Sequence, residues 1–362
     1  MPVEFIGFIG SNGASESHAN TGPILDVDYV ERMAKAHDAG GFDRALVAVG
    51  STLPDSMVLV QHAASVTERL GFMIAHRPGF IAPTYAARAL ATLDHFTRGR
   101  IAVHIITGGA DDEMARDGDH LTKSERYART DEYLEIMRQE WTSTRPFDHA
   151  GRYYSVQRAF GAIKPLTSIP VYFGGASDEA IPVAGKHADI YALWGETQAQ
   201  VREAIARVRA AAAAHGRSLR FSLSLRPVLA DTEEAAWRRA DEIVAQTIAL
   251  REKLGLKTSG HAPPNAGSQR LLEAAAQGTR LDKRLWTGVA AVTGAQGNST
   301  GLVGSPDQVA EAMMDYYDLG VTTFLIRGFD PLDDAVGYGR DLIPRVRALV
   351  AEREAAGVRA AG

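Results

Sequence analysis

Short runs of β-branched and aromatic residues alternate along the chain with longer segments in which apolar residues recur every three or four positions. Val30, Met33 and Ala34 show this helical spacing after the first run. Eight such runs predict eight strands, at residues 3–9, 44–49, 72–75, 101–107, 171–173, 190–194, 221–229 and 322–326. The predicted helices between them include residues 28–39, 85–96, 123–141, 178–186 and 199–215.

Repeated strand–helix alternation requires parallel strands joined by right-handed crossovers. That order allows a closed barrel or an open doubly wound sheet, and eight units favour the closed form. We therefore predict an α/β fold of the (β/α)8 TIM barrel type, with insertions. The 362 residues suffice for one elaborated barrel, and no linker divides them, so a single domain over residues 1–362 is expected.

Two long excursions interrupt the alternation. Residues 148–168, with Gly151, Tyr153 and Tyr154, predict an insertion before strand five that allows a hairpin. Residues 254–286 are rich in glycine and proline and end in a short amphipathic piece. Loops of this length in compact domains are usually functional, so we interpret the second excursion as a lid over the active site rather than an inert surface insertion.

Composition narrows the function classes. Hydrophobic residues make up 45% and charged residues 23%, as in an ordinary globular chain, and the net charge of -5 gives no basic surface for nucleic acid or anionic lipid. The chain has no cysteine, which excludes disulfides, thiolate metal sites and a cysteine nucleophile. No signal peptide or transmembrane run is evident, so a cytoplasmic location and no membrane partner are expected.

Candidate chemistry lies after the strands, because barrel enzymes build their active sites at the C-terminal strand ends. The turn Gly174-Gly175-Ala176-Ser177 opens a predicted helix, where free N–H groups and small residues favour a phosphate. A tight turn with Ser177 or Asp178 as N-cap explains the same residues equally well. Trp194, at the end of strand six, can stack on a planar ligand or simply fill space.

His76 and Arg77 follow strand three and are adjacent, so only one of them is expected to face the barrel centre. His76 is a candidate for proton transfer and Arg77 for binding an anionic substrate. The alternatives are a hydrogen-bonded structural imidazole for His76 and a surface ion pair for Arg77.

Arg226 lies in the apolar run of strand seven, on the same face as Ser224. If this face is the barrel interior, the arginine is a buried cation that requires compensation. A ligand anion, a peroxide or an acidic neighbour would supply it. We regard Arg226 as the first catalytic candidate and Ser224 as a substrate contact.

Other catalytic signatures are absent from the sequence. It contains neither the zinc motif HExxH nor the nucleophile elbow GxSxG, and its remaining histidines are isolated, so no metal is expected. Residues 10–13 lack the GxGxxG spacing of a dinucleotide-binding fold.

Taken in order, many segments resemble the bacterial luciferase-like flavin-dependent monooxygenases, and most closely the alkanesulfonate monooxygenases. The resemblance covers nearly the whole chain. Its motifs are Arg77-Pro78, Pro83-Thr84-Tyr85-Ala86-Ala87-Arg88, Ala91-Thr92-Leu93-Asp94, Gly99-Arg100, Thr107-Gly108, Ser124-Glu125-Arg126-Tyr127, Tyr172-Phe173-Gly174-Gly175-Ala176-Ser177-Asp178, Trp194-Gly195-Glu196, His215-Gly216-Arg217, Leu285-Trp286-Thr287-Gly288-Val289 and Leu302-Val303-Gly304.

The resemblance implies an enzyme that uses FMN as FMNH2, supplied by a separate NAD(P)H-dependent flavin reductase, with O2 as co-substrate. It also implies a homodimer or homotetramer. The residues that it assigns to the FMN phosphate are Tyr127, Gly175, Ala176 and Ser177, and it places Thr107 and Trp194 beside the flavin.

Departures from the family pattern affect the substrate. Sulfonate-cleaving relatives have an arginine and a histidine where this chain has Ser224 and Arg226, and a tyrosine and a histidine where it has Phe329 and Pro331. A family arginine and a family cysteine are replaced by Thr293 and Leu53.

We therefore expect a small organic substrate, such as a sulfonate, a sulfone or a related compound, contacted by Arg77, Ser224 and Phe329. The alternatives are an oxidoreductase dependent on coenzyme F420, from the same barrel family, and a flavin-binding or ligand-binding barrel without catalysis.

Overall fold

The computed structural model describes residues 2–256, 265–295 and 297–361. Its strands are β1 (Glu4–Ile9), β2 (Arg44–Val47), β3 (Gly71–His76), β4 (Ile101–Ile105), β5 (Phe147–Ala150), β6 (Ser155–Ala159), β7 (Val171–Gly174), β8 (Ile190–Trp194), β9 (Arg220–Leu225), β10 (Val228–Leu229), β11 (Arg280–Leu281), β12 (Leu285–Trp286), β13 (Gly301–Gly304) and β14 (Val321–Ile326).

The helices are α1 (Val27–Ala39), α2 (Ser56–Ser65), α3 (Pro83–Phe96), α4 (Asp111–Arg116), α5 (Lys123–Thr142), α6 (Ala180–His187), α7 (Gln198–Ala213), α8 (Glu233–Lys253), α9 (Ala266–Gln277), α10 (Gly288–Thr293), α11 (Pro306–Asp318), α12 (Pro331–Gly337) and α13 (Ile343–Ala361). A π-helical turn, Tyr338–Leu342, joins the last two. Within the described residues, no helix is both long and apolar enough to span a membrane.

Eight strands close into the predicted barrel, in the order β1-β14-β9-β8-β7-β4-β3-β2. Parallel pairing is explicit in the ladders of β14 with β1 and β9, and of β4 with β3 and β7. The prediction of a (β/α)8 barrel is confirmed, and each of the eight strands lies within a few residues of its predicted position.

Strand seven is shorter than predicted. The predicted run 221–229 divides into β9 and β10, and β10 joins a separate four-stranded sheet in the order β10-β13-β12-β11. Pro227 has no N–H for a ladder bond, and the Arg226 N–H donates to the Thr300 carbonyl, 2.9 Å away. The chain therefore leaves the barrel at Arg226.

Both predicted insertions contain regular structure. The first includes the antiparallel hairpin of β5 and β6. The second, predicted over 254–286, contains α9 and the short antiparallel pair β11–β12. Residues 257–264 of the predicted lid lie outside the described part of the chain.

Contacts divide the chain into two compact units. The first comprises residues 1–45, 192–206 and 220–362, and the second comprises residues 46–191 and 207–219. In the first unit, Trp286 and Phe329 anchor an apolar cluster between α8 and β13. In the second, α5 begins at a capping box formed by Thr122 and Glu125 and buries Tyr133, among other residues.

Candidate functional site

The turn after β7, in the second unit, approaches Tyr127 closely, and we call the group Tyr127, Gly175, Ala176 and Ser177 the cradle. Gly175 has a φ of +138°, and a Cβ there would lie 2.9 Å from both the Tyr127 hydroxyl oxygen and the Ala180 Cβ. The Tyr191 hydroxyl donates to the Gly175 carbonyl at 2.5 Å and holds the turn. Only glycine satisfies both the backbone conformation and the close approach of Tyr127.

Tyr127 and Ser177 complete this cradle. Tyr127 is 8% exposed, and burial raises the pKa of its hydroxyl, so it remains a neutral donor. Ser177 Oγ is buried beside Tyr127 and Glu179, yet it makes no hydrogen bond of standard geometry. This hydroxyl can turn toward a ligand oxygen, in competition with the Glu179 carboxylate beside it.

The alternative that Ser177 or Asp178 caps the following helix is wrong. Helix α6 begins at Ala180, and its N-cap residue, Glu179, makes no side-chain capping bond. Asp178 instead pairs with Arg207 at 2.8 Å. The Ala180 N–H donates to the Ser177 carbonyl at 3.0 Å, so the turn's backbone, and not a side chain, starts the helix.

Thr107 lies on the α5 side of the chain after β4. Its Oγ1 is 3.4 Å from the Thr130 Oγ1, whose hydroxyl donates to the Arg126 carbonyl. Thr107 thus contacts α5, the helix that also carries Tyr127. The assignment of Thr107 and Tyr127 to the flavin stays a prediction.

His76 and Arg77 both point into polar contacts within the second unit. His76 Nε2 is 2.7 Å from the Tyr133 hydroxyl oxygen. Arg77 Nη2 is 2.6 Å from Glu113 Oε1, and its Nη1 is 3.7 Å from Asp117 Oδ2. The acidic partners agree with an ion pair for Arg77, except that its side chain is only 6% exposed.

Burial lowers the pKa of His76 to about 4, although Asp55 acts in the opposite direction. The imidazole is therefore neutral at physiological pH. It can exchange a hydrogen bond with Tyr133 but carries no proton to donate as a cation. Its role in proton transfer stays a prediction, with Tyr133 as the group through which it would act.

Arg226 is a fully buried cation with an acidic neighbour. Its side chain is 1% exposed, its Nη1 donates to Glu16 Oε2 at 2.6 Å, and its Nη2 donates to the Gly328 carbonyl at 2.7 Å. The guanidinium lies 3.5 Å from the centre of the Phe329 ring. Arg327 Nη2 donates to the other oxygen of Glu16, also at 2.6 Å.

Charges in this cluster determine the ionisation of Glu16. Burial opposes ionisation, but the charges of Arg226 and Arg327 outweigh it and lower the pKa of Glu16 to about 2. Burial and the charge of Arg327 lower the pKa of Arg226 to about 10, which still leaves it protonated at neutral pH. The three side chains are therefore all charged.

The two predicted substrate contacts differ in exposure. Ser224, on β9, is partly exposed. Phe329 is 1% exposed, and its ring packs edge-on against Trp286, with ring centres 5.8 Å apart. The Phe329 ring is therefore fixed in place against the Arg226 guanidinium. Their roles toward a substrate stay predictions.

Trp194 lies under the described part of the predicted lid. It packs against the cluster of Leu271, Ala290 and Ala295, and a Cβ on Gly267 would lie 3.6 Å from its ring. Arg270 of α9 forms an ion pair with Glu196, at 2.8 Å, directly after β8. This buried pair holds α9 against the residues that follow the strand.

Sequence reasoning missed Glu16 and Tyr133. A buried arginine on β9 does require an acid, and Glu16 is the acid in the segment that follows β1. No periodicity or motif connects two residues 210 positions apart, so only the need for a counter-ion pointed toward it. Tyr133 is part of the buried face of α5, where a tyrosine reads as ordinary core.

A separate cluster in the second unit consists of Asp131, Glu135 and His187. The Lys186 ammonium contacts both carboxylates, and His187 Nε2 lies 2.6 Å from Asp131 Oδ1. Lys186 therefore balances one of the two negative charges and already contacts both carboxylates.

Comparison with protein families identifies the family of this chain. The model of the family described as luciferase-like monooxygenase matches residues 3–323. The chain belongs to this family. The family match covers every barrel strand except the last residues of β14.

Solved structures with the same fold are distant in sequence. A riboflavin lyase, determined with modified FMN and riboflavin, is 19% identical and has a TM-score of 0.80, over 96% of this chain and 92% of that one. EDTA monooxygenase from Chelativorans sp. BNC1 is 21% identical, with a TM-score of 0.76 over 96% and 94%. An F420-dependent secondary alcohol dehydrogenase is 15% identical, with a TM-score of 0.69 over 96% and 99%.

The cradle fits the phosphate of a flavin mononucleotide. The space kept free at Gly175, the buried Ser177 hydroxyl and the Tyr127 hydroxyl are suited to oxygens that accept hydrogen bonds.

Proposed function

We propose that this protein is a two-component monooxygenase that binds FMNH2, released by a separate NAD(P)H-dependent flavin reductase, and oxidises a small organic molecule with O2. The observation that carries the proposal is the cradle of Tyr127, Gly175, Ala176 and Ser177, in a chain of the luciferase-like monooxygenase family. Riboflavin lyase and EDTA monooxygenase share its fold. Enzymes with this barrel fold carry their active sites at the C-terminal ends of the strands, which is where the cradle lies.

Reduced flavin would supply the electrons with which O2 gives one oxygen atom to the substrate. The protein's own contribution is to bind, orient and exclude water. Tyr127 and Ser177 would hold the phosphate, and α9, held down by Arg270, would cover the residues around Trp194. Exclusion of water matters because a reactive oxygen species is lost to side reactions in a wet site.

The substrate class in this proposal is a sulfonate, a sulfone or a related compound. The substituted positions Ser224, Arg226 and Phe329 argue against a simple transfer of sulfonate cleavage from the family. The second candidate function is an F420-dependent oxidoreductase, favoured by the fold shared with the alcohol dehydrogenase.

The test is an anaerobic fluorescence titration of the purified protein with FMNH2, FMN and reduced coenzyme F420 in parallel. We expect saturable binding of FMNH2 that is at least tenfold tighter than binding of the other two. Oxygen is then admitted in the presence of candidate substrates, and the ratio of product to hydrogen peroxide is measured.

Each outcome separates the candidates. Preference for F420 would move the protein to the dehydrogenase function. Binding of FMNH2 that yields only hydrogen peroxide with every substrate would favour a binding protein without catalysis, and no binding of any of the three would refute the flavin assignment.

We also propose a cytoplasmic homodimer or homotetramer, assembled through helices α2 and α3. Three large apolar side chains on this face are strongly exposed, with Val58 and Phe96 at 71% and Tyr85 at 58%. Gln61, Arg88 and Thr92 give the surrounding groove a polar edge. An apolar centre with a polar edge is the composition of an interface, and a second copy of this chain offers the same surface to it.

A further inference from the structure

We propose that Glu16 is a built-in counter-ion that occupies the anion position of Arg226 and Arg327, so that the group of the substrate bound near these residues is uncharged. This inference rests on the proposed function. It narrows the substrate class to neutral molecules, such as sulfones, and excludes sulfonates and carboxylates from recognition by Arg226.

The geometry is that of a carboxylate held like a bound anion. Each oxygen of Glu16 accepts one hydrogen bond of 2.6 Å, from Arg226 on one side and Arg327 on the other. An isolated anionic ligand between two guanidinium groups would be held in the same way. Glu16 belongs to the same chain as the two arginines, so its effective concentration beside them is higher than that of a free ligand.

The charge of Arg226 is already matched, and two of its donors are used. One Nη donates to Glu16 and the other to the Gly328 carbonyl, while the Phe329 ring covers one guanidinium face at 3.5 Å. The Nε–H is buried without a hydrogen-bond partner. Three of the five N–H donors therefore remain, but a sulfonate that reached them would bring a second negative charge beside the Glu16 carboxylate.

Space beside the cluster is equally limited. The cavity lined by Glu16, Arg226, Arg327, Asn12 and Tyr29 has a volume of about 30 Å³. That volume holds only a few water molecules. A sulfonate that takes the place between the two arginines must therefore displace Glu16, which requires breaking a buried ion pair.

The charge balance explains why the cluster is stable without a further anion. Arg226, 1% exposed, is matched by Glu16, while the Arg327 side chain is 25% exposed and retains contact with water. Arg327 also lies 5.1 Å from the centre of the Phe8 ring. The buried charge is compensated, and the excess charge is solvated.

The other ionisable groups around the cavity do not change this balance. His37, which also lines it, is kept neutral because burial lowers its pKa to about 4. Asp330 and Asp334 lie nearby in sequence but both accept from Arg239, at 2.9 and 2.6 Å. Glu16 is thus the carboxylate that faces Arg226 in the described structure.

The experiment measures anion binding without flavin. Methanesulfonate and its neutral counterpart, dimethyl sulfone, are titrated by calorimetry at constant ionic strength into wild type, Glu16→Ala and the double variant Glu16→Ala with Arg226→Met. We expect no saturable binding of methanesulfonate to wild type. Glu16→Ala removes the carboxylate and vacates its position, so it should bind methanesulfonate at least tenfold above the detection limit set with wild type, and the double variant should lose the gain.

Glu196→Ala is the matched control, because it removes another buried carboxylate from an arginine, Arg270, that keeps Glu203 as a second partner. It should not gain affinity for methanesulfonate. Thermal unfolding provides a second readout, since Glu16→Ala should unfold at a lower temperature than wild type and recover part of the difference with methanesulfonate but not with the sulfone.

Two results would overturn the inference. The first is saturable binding of methanesulfonate to wild type that Arg226→Met or Arg327→Met abolishes, a measurement that remains possible if Glu16→Ala does not fold. The second is a folded Glu16→Ala variant that binds no methanesulfonate. Neither result depends on FMNH2, so failure of this inference is distinct from failure of the proposed monooxygenase function.

Discussion

Gly175 shows how one missing side chain shapes the proposed phosphate site. Its φ of +138° disfavours other residues, and a Cβ would press on Tyr127 at 2.9 Å. We predict that Gly175→Ala weakens FMNH2 binding at least tenfold in the anaerobic titration, because the Tyr127 hydroxyl must move away from the cradle.

Gly118→Ala is the control for this substitution. Gly118 also has a positive φ, +84°, but a Cβ there would meet nothing within 4 Å. It should therefore carry backbone strain without affecting FMNH2 binding. Equal losses of affinity in the two variants would remove Gly175 from the cofactor site.

At the level of single residues, the sequence predicted that a buried charge requires compensation, but it did not predict which residue supplies that compensation. The apolar run around Arg226 indicated a buried cation that required compensation, and an acidic neighbour was one of the three possibilities. Which acid supplies it depends on how the segment between β1 and α1 folds back, a tertiary property without a local signal. For His76 and Arg77 the same limit applied, since Tyr133 and Glu113 come from later helices.

Among the elements, burial made the barrel strands the most predictable part of the chain. β3 and β14 are buried along their whole length, and such strands read as continuous apolar runs. The break after β9 was missed because the apolar pattern continues through Val228 and Leu229, which belong to a different sheet, where Val228 is buried and Leu229 partly buried. Pro227 marked the break, but hydrophobicity alone does not distinguish one sheet from another.

Helices α2 and α3 allow a direct test of the proposed assembly. We predict that wild type is at least a dimer by light scattering after gel filtration, and that the double substitution of Val58 and Phe96 by Glu shifts it to monomer. A buried carboxylate without a partner costs several kcal/mol, which opposes association.

The control for this test is Val336→Glu. Val336 is 49% exposed and lies on α12, away from the proposed face in sequence and in element. It should leave the oligomeric state unchanged. A monomeric wild type, or a double variant that still assembles, would contradict the assignment of this face.

For the whole molecule, two buried histidines, His37 and His76, and the partly buried His104 predict a loss of stability in mild acid. Burial lowers the pKa of His37, His76 and His104 to about 4 from an ordinary value of 6.5. Between these values the unfolded chain binds more protons, so stability is complete above about pH 6.5 and decreases as the pH falls toward 4. The loss at pH 5 is on the order of 1 to 2 kcal/mol per histidine.

Urea unfolding between pH 7 and 5 measures this effect. Carboxyls contribute differently in that range, since Glu16 loses its stabilisation only below about pH 4.5, and burial raises the pKa of Glu196 and Asp334, which favours folding as the pH falls. His104→Gln should reduce the pH dependence, because it removes one imidazole with a lowered pKa. The substitution breaks no hydrogen bond of Nδ1, which has no partner. An unchanged slope in His104→Gln would contradict the prediction.

The ion pairs of Glu16 also order events during protein synthesis. Its two arginine partners lie 210 and 311 residues downstream, so the ribosome must add most of the chain before either contact can form. The second unit is drawn almost entirely from one continuous stretch, 46–191, and its contacts become available earlier. The segment after β1 is synthesised early, but it can form both ion pairs only after residue 327 has been added. A nascent chain stalled before residue 226 therefore carries Glu16 with neither of its arginine partners.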